Sequence, residues 1–539
     1  MWKSVVCYSC RVRPIRKSAW LLSLASAGLQ ILLFPLLGFT FLAWVAFAPL
    51  LLALLRTRAP ENLLLETDTS RLRPASPVQG FLLAYVCGTL WYAGTCYWVF
   101  HTMHQYGGLS TPIALLLLLL FCMILGLFHG LFGLAFAWIA SRPSRVQKYA
   151  LLFAPFLWVA VELARCDVMG VPWNLLGTAQ VANIPLSRVA TVTGVYGLSF
   201  EIVLVNCAFV AAFLLPRGRR RPMLIGTAVV ALVMQAGWFL LPPPSPVDHT
   251  AILLQPNLPV DGPAWTADFY RQTVDELSQL STPSAGTRVD LIVWPESPAP
   301  FYTRDPFFQE GLSKLARQTQ TWVIAGGIGT DTLPSAQEPP AYNSAALMSP
   351  AGEFTSRYDK AHLVPFGEYV PFRGYLPFVD ALAKQIGDFQ AGTSREPLTA
   401  GDAKLGVFIC YESVFPNEVR QFAKNGGQVF VNISNDGWYG DSGAWAQHIL
   451  QARMRAVENQ RWLLRSTNSG RTAAIDPYGR VVARVPRKQR LRLQAPYALI
   501  SETTFYTRHG DWFAYACAII SLGAMLGCFI KIKTRTVTV

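Results

Sequence analysis

From Gly80 to Ala140 the chain runs without a single Asp, Glu, Lys or Arg. A run of that length has no place on the surface of a water-soluble fold, and it is long enough for two bilayer-spanning helices of about 20 residues each. Apolar segments also lie near residues 18–37, 39–55, 150–164, 189–215, 222–242 and 512–530, so that with 80–100 and 112–140 the pattern predicts eight spans. The 150–164 segment is short and carries Glu162. Of the 539 residues 52% are hydrophobic and only 14% charged, against about 25% charged in soluble domains. The same balance excludes a disordered chain and a collagen-like or small disulfide-rich scaffold.

The net charge of +14 would suit a nucleic-acid partner, but its position argues otherwise. Residues 248–505 hold 24 Lys/Arg and 25 Asp/Glu, whereas the rest of the chain holds 22 Lys/Arg and 7 Asp/Glu. The basic excess therefore belongs to the apolar part. Eight spans place 19 of those 22 cations on one side, among them Lys17, Arg56, Arg73, Arg142, Arg219 and Lys531; only Arg165, Arg188 and Arg508 fall on the other. By the positive-inside rule both termini are cytoplasmic and the 248–505 block lies on the outer face, the periplasm in a bacterium. The basic start of the first segment is also that of a cleaved signal peptide, which seven further spans would make unnecessary. The expected organisation is a helical membrane part at 1–247, an outer domain at 248–505, and a last span with a basic tail at 506–539. The basic extension at 1–17 has no predicted role beyond orientation.

The 248–505 block alternates. Apolar β-type runs at Ala251–Leu254, Leu291–Trp294, Trp322–Ala325, Ala345–Met348, Val407–Ile409 and Val429–Ile433 are separated by helical patterns at Asp268–Leu280, Pro306–Thr319 and Pro416–Lys424. A longer helical pattern, Trp445–Leu464, precedes a hairpin turned by Asp476-Pro477-Tyr478-Gly479. The block contains one of the ten cysteines, Cys410. One cysteine builds neither a disulfide framework nor a zinc cluster, which leaves a buried inert thiol or a nucleophile. His101 and His104 have metal-ligand spacing but no third ligand in view, and no metal or cofactor is expected. His362 and His448 stand alone and read as structural; Glu162 and Arg165, three apart, read as an ion pair at a helix end. Gly326-Gly327-Ile328-Gly329 lacks the strand–turn–helix context of a dinucleotide site.

Three chemistry-bearing groups stand at the ends of strand-like runs: Glu296 after Leu291–Trp294, Lys360 in Asp359-Lys360-Ala361-His362-Leu363, and Cys410 after Val407–Ile409. Catalytic groups of α/β folds gather beyond strand C-termini. A carboxylate that takes a thiol proton, an ammonium that holds an oxyanion and a sulfur nucleophile together suffice for acyl transfer.

The segments Trp294-Pro295-Glu296-Ser297, Asp359 through Phe372 and Cys410-Tyr411-Glu412-Ser413 resemble the three signature segments of the nitrilase superfamily. The membrane part, with Gly170–Gly177, Gly194–Phe200 and Ser434–Gly440, narrows the resemblance to the apolipoprotein N-acyltransferase family. The resemblance implies an αββα sandwich carried by eight transmembrane helices in the bacterial inner membrane. It also implies Glu296 as general base, Lys360 as oxyanion stabiliser and Cys410 as nucleophile. By the same resemblance Glu368 orients the lysine, Tyr411 and Glu412 flank the nucleophile with the Tyr411 N–H as a possible oxyanion donor, and Trp265 and Trp438 stand near the substrate opening. The implied partners are a phospholipid acyl donor and a diacylglyceryl-modified apolipoprotein acceptor; oligomeric state stays open. Two other readings remain compatible with the sequence: a membrane-tethered amidase acting on a small C–N substrate, and a non-catalytic membrane scaffold.

Overall fold

The computed structural model describes residues 14–57, 72–235, 247–260, 265–331, 340–370 and 389–529. The later half is built on two six-stranded sheets. In the first, β12 (Leu491–Tyr497), β1 (His249–Gln255), β2 (Leu291–Val293), β3 (Trp322–Thr330), β4 (Ala341–Met348) and β5 (Phe354–Asp359) lie side by side. In the second the order is β11 (Val481–Arg484), β10 (Ala473–Ile475), β9 (Leu463–Thr467), β8 (Val429–Ser434), β7 (Ala403–Ile409) and β6 (Leu398–Ala400). The central strands of each sheet, β1-β2-β3 and β7-β8-β9, are parallel, and antiparallel strands close the edges.

The residues decide the layering. Leu253, Val293, Ile324 and Leu347 share one buried cluster with Val407, Ile409, Val431 and Leu464, so these faces of the two sheets pack together. The alternate side chains Ile252, Leu254, Ile292 and Val323 point the other way, against Val274 and Leu277 of the Ala267–Ser281 helix and Phe308, Leu312 and Leu315 of the Pro306–Thr319 helix. On the far side of the second sheet the Pro416–Lys424 and Ala444–Asn459 helices supply Val419, Phe422, Ile449 and Ala452. Strands apolar on both faces need helices on both sides, and the result is the expected αββα sandwich. The predicted helix at Trp445–Leu464 is shorter than its pattern: it stops at Asn459, Gln460 takes a left-handed φ of 49°, and Leu463 and Leu464 open β9. Apolar periodicity continued through that turn because both elements bury the same side.

The earlier half is helical. Among the described residues two helices are long and apolar enough to cross a bilayer, Thr111–Ser141 with 31 residues and Val195–Leu214 with 20. The other predicted spans are shorter, interrupted or more polar. The 39–55 segment is a 3-10 turn at Thr40–Trp44 followed by eight residues, Ala48–Leu55. The Arg217–Gln235 helix opens on four arginines, and the end of the 222–242 segment lies outside the described residues. The last helix is Trp512–Gly527. Glu162 and Arg165 do not close a helix end on each other: Glu162 accepts the Leu176 N–H (2.7 Å), and Arg165 donates to the carbonyls of Val171 (3.1 Å) and Trp173 (2.6 Å).

The long Thr111–Ser141 helix meets the Pro77–Thr95 helix through glycine. A Cβ on Gly133 would stand 2.2 Å from the Gly80 carbonyl, and one on Gly80 would stand 2.4 Å from that of Gly133. Small residues let two backbones approach where lipid offers no hydrophobic advantage for association. The two halves of the chain join along the Ala444–Asn459 helix. Gln447 accepts from the Trp173 indole (2.7 Å) and donates to the carbonyls of Pro35 and Thr95 (3.0 Å each), while Glu458 accepts the Val195 N–H (3.0 Å) at the start of the Val195–Leu214 helix.

Gly133→Val would place branched carbons where backbone oxygen now lies. The expected cost is about 1–3 kcal/mol, read as a lowered unfolding midpoint of the purified, detergent-solubilised protein. An unchanged midpoint would refute the glycine contact.

Candidate active site

Strand ends set the site. β2 stops at Val293, and Trp294-Pro295 turns the chain so that Glu296 stands just beyond it. The loop passes so near β3 that a Cβ on Gly326 would sit 2.3 Å from the Pro295 carbonyl and 2.9 Å from the Glu296 Cα, which explains a glycine there. Lys360 directly follows β5, its N–H held by the Asn343 carbonyl (2.8 Å). Cys410 directly follows β7 and begins a 3-10 turn, Cys410–Val414, at a φ of 50°. A left-handed conformation at a non-glycine residue costs about 1–3 kcal/mol and persists only where the surroundings impose it.

The three sequence-derived groups converge in a buried setting, with Cys410 7%, Glu296 6% and Lys360 1% exposed. Lys360 Nζ donates to Glu368 Oε1 (2.9 Å) and reaches Glu296 Oε1 (3.4 Å). Asn343 Nδ2 donates to the same two oxygens, at 2.7 Å on Glu296 and 2.6 Å on Glu368. The remaining carboxylate oxygens are also held: the Asn435 N–H donates to Glu296 Oε2 (2.7 Å) and the Val364 N–H to Glu368 Oε2 (2.8 Å). Burial alone would depress the Lys360 ammonium, but Glu368 and then Glu296 override it and hold the pKa above its ordinary value. The Cys410 thiol is pushed up by burial first and by Glu296 second, against a lowering by Lys360. At rest the site holds a neutral thiol beside a permanent ammonium.

Glu412 does not point at the sulfur. Its Oε1 accepts from Tyr358 Oη (2.7 Å) and from the N–H groups of Ala361 (2.8 Å) and His362 (3.0 Å), and its Oε2 accepts from the Ile409 N–H (2.7 Å). It therefore ties the lysine loop to the strand end that carries Cys410. The Tyr411 ring stacks near Trp173 (6.3 Å between centroids) and its hydroxyl donates to the Gly170 carbonyl (3.4 Å), both from the helical half.

Trp265 and Trp438 stand apart from this cluster. Trp265 is 39% exposed and stacks on Phe269, and Trp438 is 44% exposed and meets Tyr106 edge-on. His104 Nδ1 lies against the Leu109 carbonyl (2.7 Å), and among the described residues no three His, Cys, Asp or Glu side chains gather as metal ligands would.

Sequence reasoning missed two groups. Asn343 bridges both carboxylates but belongs to no segment that marks it in advance. His448, read as a lone histidine, lies under Cys410: Nε2 is 3.0 Å from the Cys410 carbonyl and 2.8 Å from Ser413 Oγ, and Nδ1 is 3.0 Å from Asp436. Arg465 completes this buried set at 2.9 Å from Asp436. The Asp436-Gly437-Trp438 segment was the available signal.

Known proteins match both halves. The carbon-nitrogen hydrolase family matches residues 253–496, and the N-terminal domain of the apolipoprotein N-acyltransferases matches residues 26–208. An apolipoprotein N-acyltransferase of Geobacter metallireducens is 36% identical over 516 residues, 93% of this chain and 94% of its own. One of Methylococcus capsulatus is 34% identical over 451 residues, 81% of this chain and 85% of its own. Among solved structures, an amidase of Nesterenkonia AN1 from the nitrilase superfamily aligns with 50% of this chain and 98% of its own at 17% identity and a TM-score of 0.36. With relatives above 30% identity along nearly the whole length, the chain belongs to the apolipoprotein N-acyltransferase family.

Proposed function

We propose that this chain transfers a fatty acyl group from a phospholipid to the N-terminal α-amine of a diacylglyceryl-modified apolipoprotein, through a thioester on Cys410. The observation that carries the reading is the buried Glu296–Lys360–Glu368 cluster facing the single thiol of the sandwich. Cys410 gives its proton to Glu296 while sulfur attacks the ester carbonyl. Lys360, with a backbone N–H beside the nucleophile, holds the oxyanion. The C–O bond breaks, Glu296 returns the proton to the departing lysophospholipid, and the acyl group stays on sulfur. The acceptor amine then loses a proton to Glu296, attacks the thioester, and the C–S bond breaks as the thiol is restored. Glu368 and Glu412 position the lysine and its loop, and Trp265 and Trp438 line the approach of substrate.

A membrane setting follows from the substrates. Each buried CH₂ is worth about 0.8 kcal/mol, so long acyl chains leave lipid too slowly for a soluble enzyme. We place eight spans in the bacterial inner membrane, with residues 248–505 on the periplasmic face and both termini cytoplasmic. Support comes from the one-sided cations and from the exposed side chains of Leu115, Leu116, Leu119, Leu120 and Leu127 on the Thr111–Ser141 helix, which suit lipid and not water.

Incubation of the purified full chain with phospholipid alone is expected to add one acyl mass at Cys410, seen by mass spectrometry of the intact protein and of the peptide that contains it. Cys410→Ala and Glu296→Ala are expected to abolish transfer, and Cys410→Ser to slow it severely; a fully active Cys410→Ala protein would end the proposal. Free fatty acid without amide product would favour hydrolysis instead.

The raised thiol pKa has its own consequence. Alkylation of Cys410 by a small electrophile should keep rising with pH beyond the ordinary thiol range near about 8.5. Lys360→Met removes the neighbouring charge that most lowers this pKa, so alkylation at a fixed pH should slow. A faster rate in that variant would contradict the electrostatic assignment.

A further inference from the structure

The chemistry above leaves a group of cations unused. Arg471 and Arg487 both lie against the Trp445 indole, their guanidinium carbons 4.8 and 4.4 Å from the ring centroid. Arg484 stands exposed at the end of β11, with its partner Ala473 only two residues from Arg471. The nearby carboxylates are already engaged: Asp441 is bound by Lys488 (2.5 Å) and lies 4.0 Å from Arg487, and Asp436 belongs to Arg465 and His448. Arg487 Nη2 donates to the Gly440 carbonyl (2.9 Å), while its buried Nε has no hydrogen-bond partner. Burial, and after it the positive charges of Arg484 and Arg487, hold the Arg471 pKa below its ordinary value. These guanidiniums are thus close enough to repel one another, and the one carboxylate that reaches the cluster, Asp441 at 4.0 Å from Arg487, is shared with Lys488.

Their position is as informative as their charge. Trp445 packs against the apolar core of the helical half. Two residues before it, a Cβ on Gly443 would meet the Pro35 carbonyl at 2.8 Å. Beyond Pro35 the chain exposes Leu36 (62%), Leu37 (56%), Phe39 (44%) and Phe41 (68%). Exposed large apolar side chains beside guanidiniums that outnumber the nearby carboxylates match the boundary between acyl chains and headgroups. On its other side Arg487 grips Gly440, which ends the loop begun by Asn435, the residue whose N–H holds Glu296. One short loop, Asn435 to Gly440, thus links the cluster to the residue that holds Glu296.

We propose that Arg471, Arg484 and Arg487 form the headgroup site for the phosphodiester of the glycerophospholipid acyl donor. A guanidinium matches phosphate oxygens in pairs. In such a lipid only a three-carbon glycerol separates the phosphate from the ester to be cleaved, so anchoring one positions the other. The assignment rests on the reading of the chain as a phospholipid acyltransferase.

The test uses the full chain in detergent micelles doped equally with phosphatidylglycerol and diacylglycerol, with retained lipid counted by native mass spectrometry. The wild type is expected to retain the phosphodiester lipid about tenfold over diacylglycerol, and Arg471→Gln/Arg487→Gln to bring that ratio close to one. Arg484→Gln, at an exposed position, should lower it severalfold. An unchanged ratio in both variants overturns the site, as does displacement of the lipid by millimolar inorganic phosphate, which would make free phosphate the ligand. The covalent acyl adduct on Cys410, read in the same spectra, reports separately on the thioester: its absence counts against that reading, while the retention ratio alone decides the cluster.

Discussion

A buried ammonium between two carboxylates sets the geometry of everything around it. An isolated charge in this position would cost several kcal/mol, and it is tolerated only because the pairing and hydrogen bonding are nearly complete. Lys360 meets Glu296 and Glu368, Asn343 donates to the same two oxygens, and backbone N–H groups take the other two. These contacts fix the loops after β2, β5 and β8 relative to one another. Glu412 carries the constraint onward, since one carboxylate bonds both the Lys360 loop and the last residue of β7. The left-handed Cys410 is imposed from beneath as well, by His448 under its carbonyl.

Cys410 is not positioned by the sandwich alone. Trp173, from the helical half, lies 5.8 Å from the His448 ring and 6.3 Å from the Tyr411 ring, so it fills the space below the Cys410 turn. It is itself anchored by Gln447, whose amide also binds carbonyls at Pro35 and Thr95. Three separate parts of the helical half thus meet on one helix of the sandwich. Such an arrangement couples the sulfur to the helices, so the catalytic half and the helical half have to be understood as one unit.

How much of this was legible in the sequence differs by feature, for physical reasons. Glu296 and Cys410 could be named because each ends an apolar strand, and all three, Lys360 included, sit in short distinctive segments. The central strands were legible as short apolar runs, and the Pro306–Thr319 and Pro416–Lys424 helices because proline starts them and apolar residues recur along them at helical spacing. Asn343 was not, because it lies inside β4 and acts only through partners distant in sequence. Glu162 and Arg165 misled for a related reason: spacing suggested a pair, while both side chains turned to backbone groups of the following segment. Hydropathy marked the apolar segments but not the breaks inside them, such as the turn at Gly38 and the 3-10 turn after it.

The two pKa directions at the site constrain how protons can move in the proposed cycle. Lys360 is held charged by two carboxylates, so it can stabilise an oxyanion but is a poor source of protons for the leaving group. Cys410 is held neutral by burial and by Glu296, so the resting sulfur is a weak nucleophile towards any passing electrophile. Proton traffic therefore falls to Glu296, the carboxylate that shares the lysine and faces the thiol. Negative charge leaves sulfur for the bound carbonyl, where Lys360 can neutralise it. On this account the thiol becomes reactive only when an ester carbonyl is present to receive its electrons. A buried site that is inert until filled also limits the access of water to the thioester, which is the condition for an amine to win the second half of the reaction.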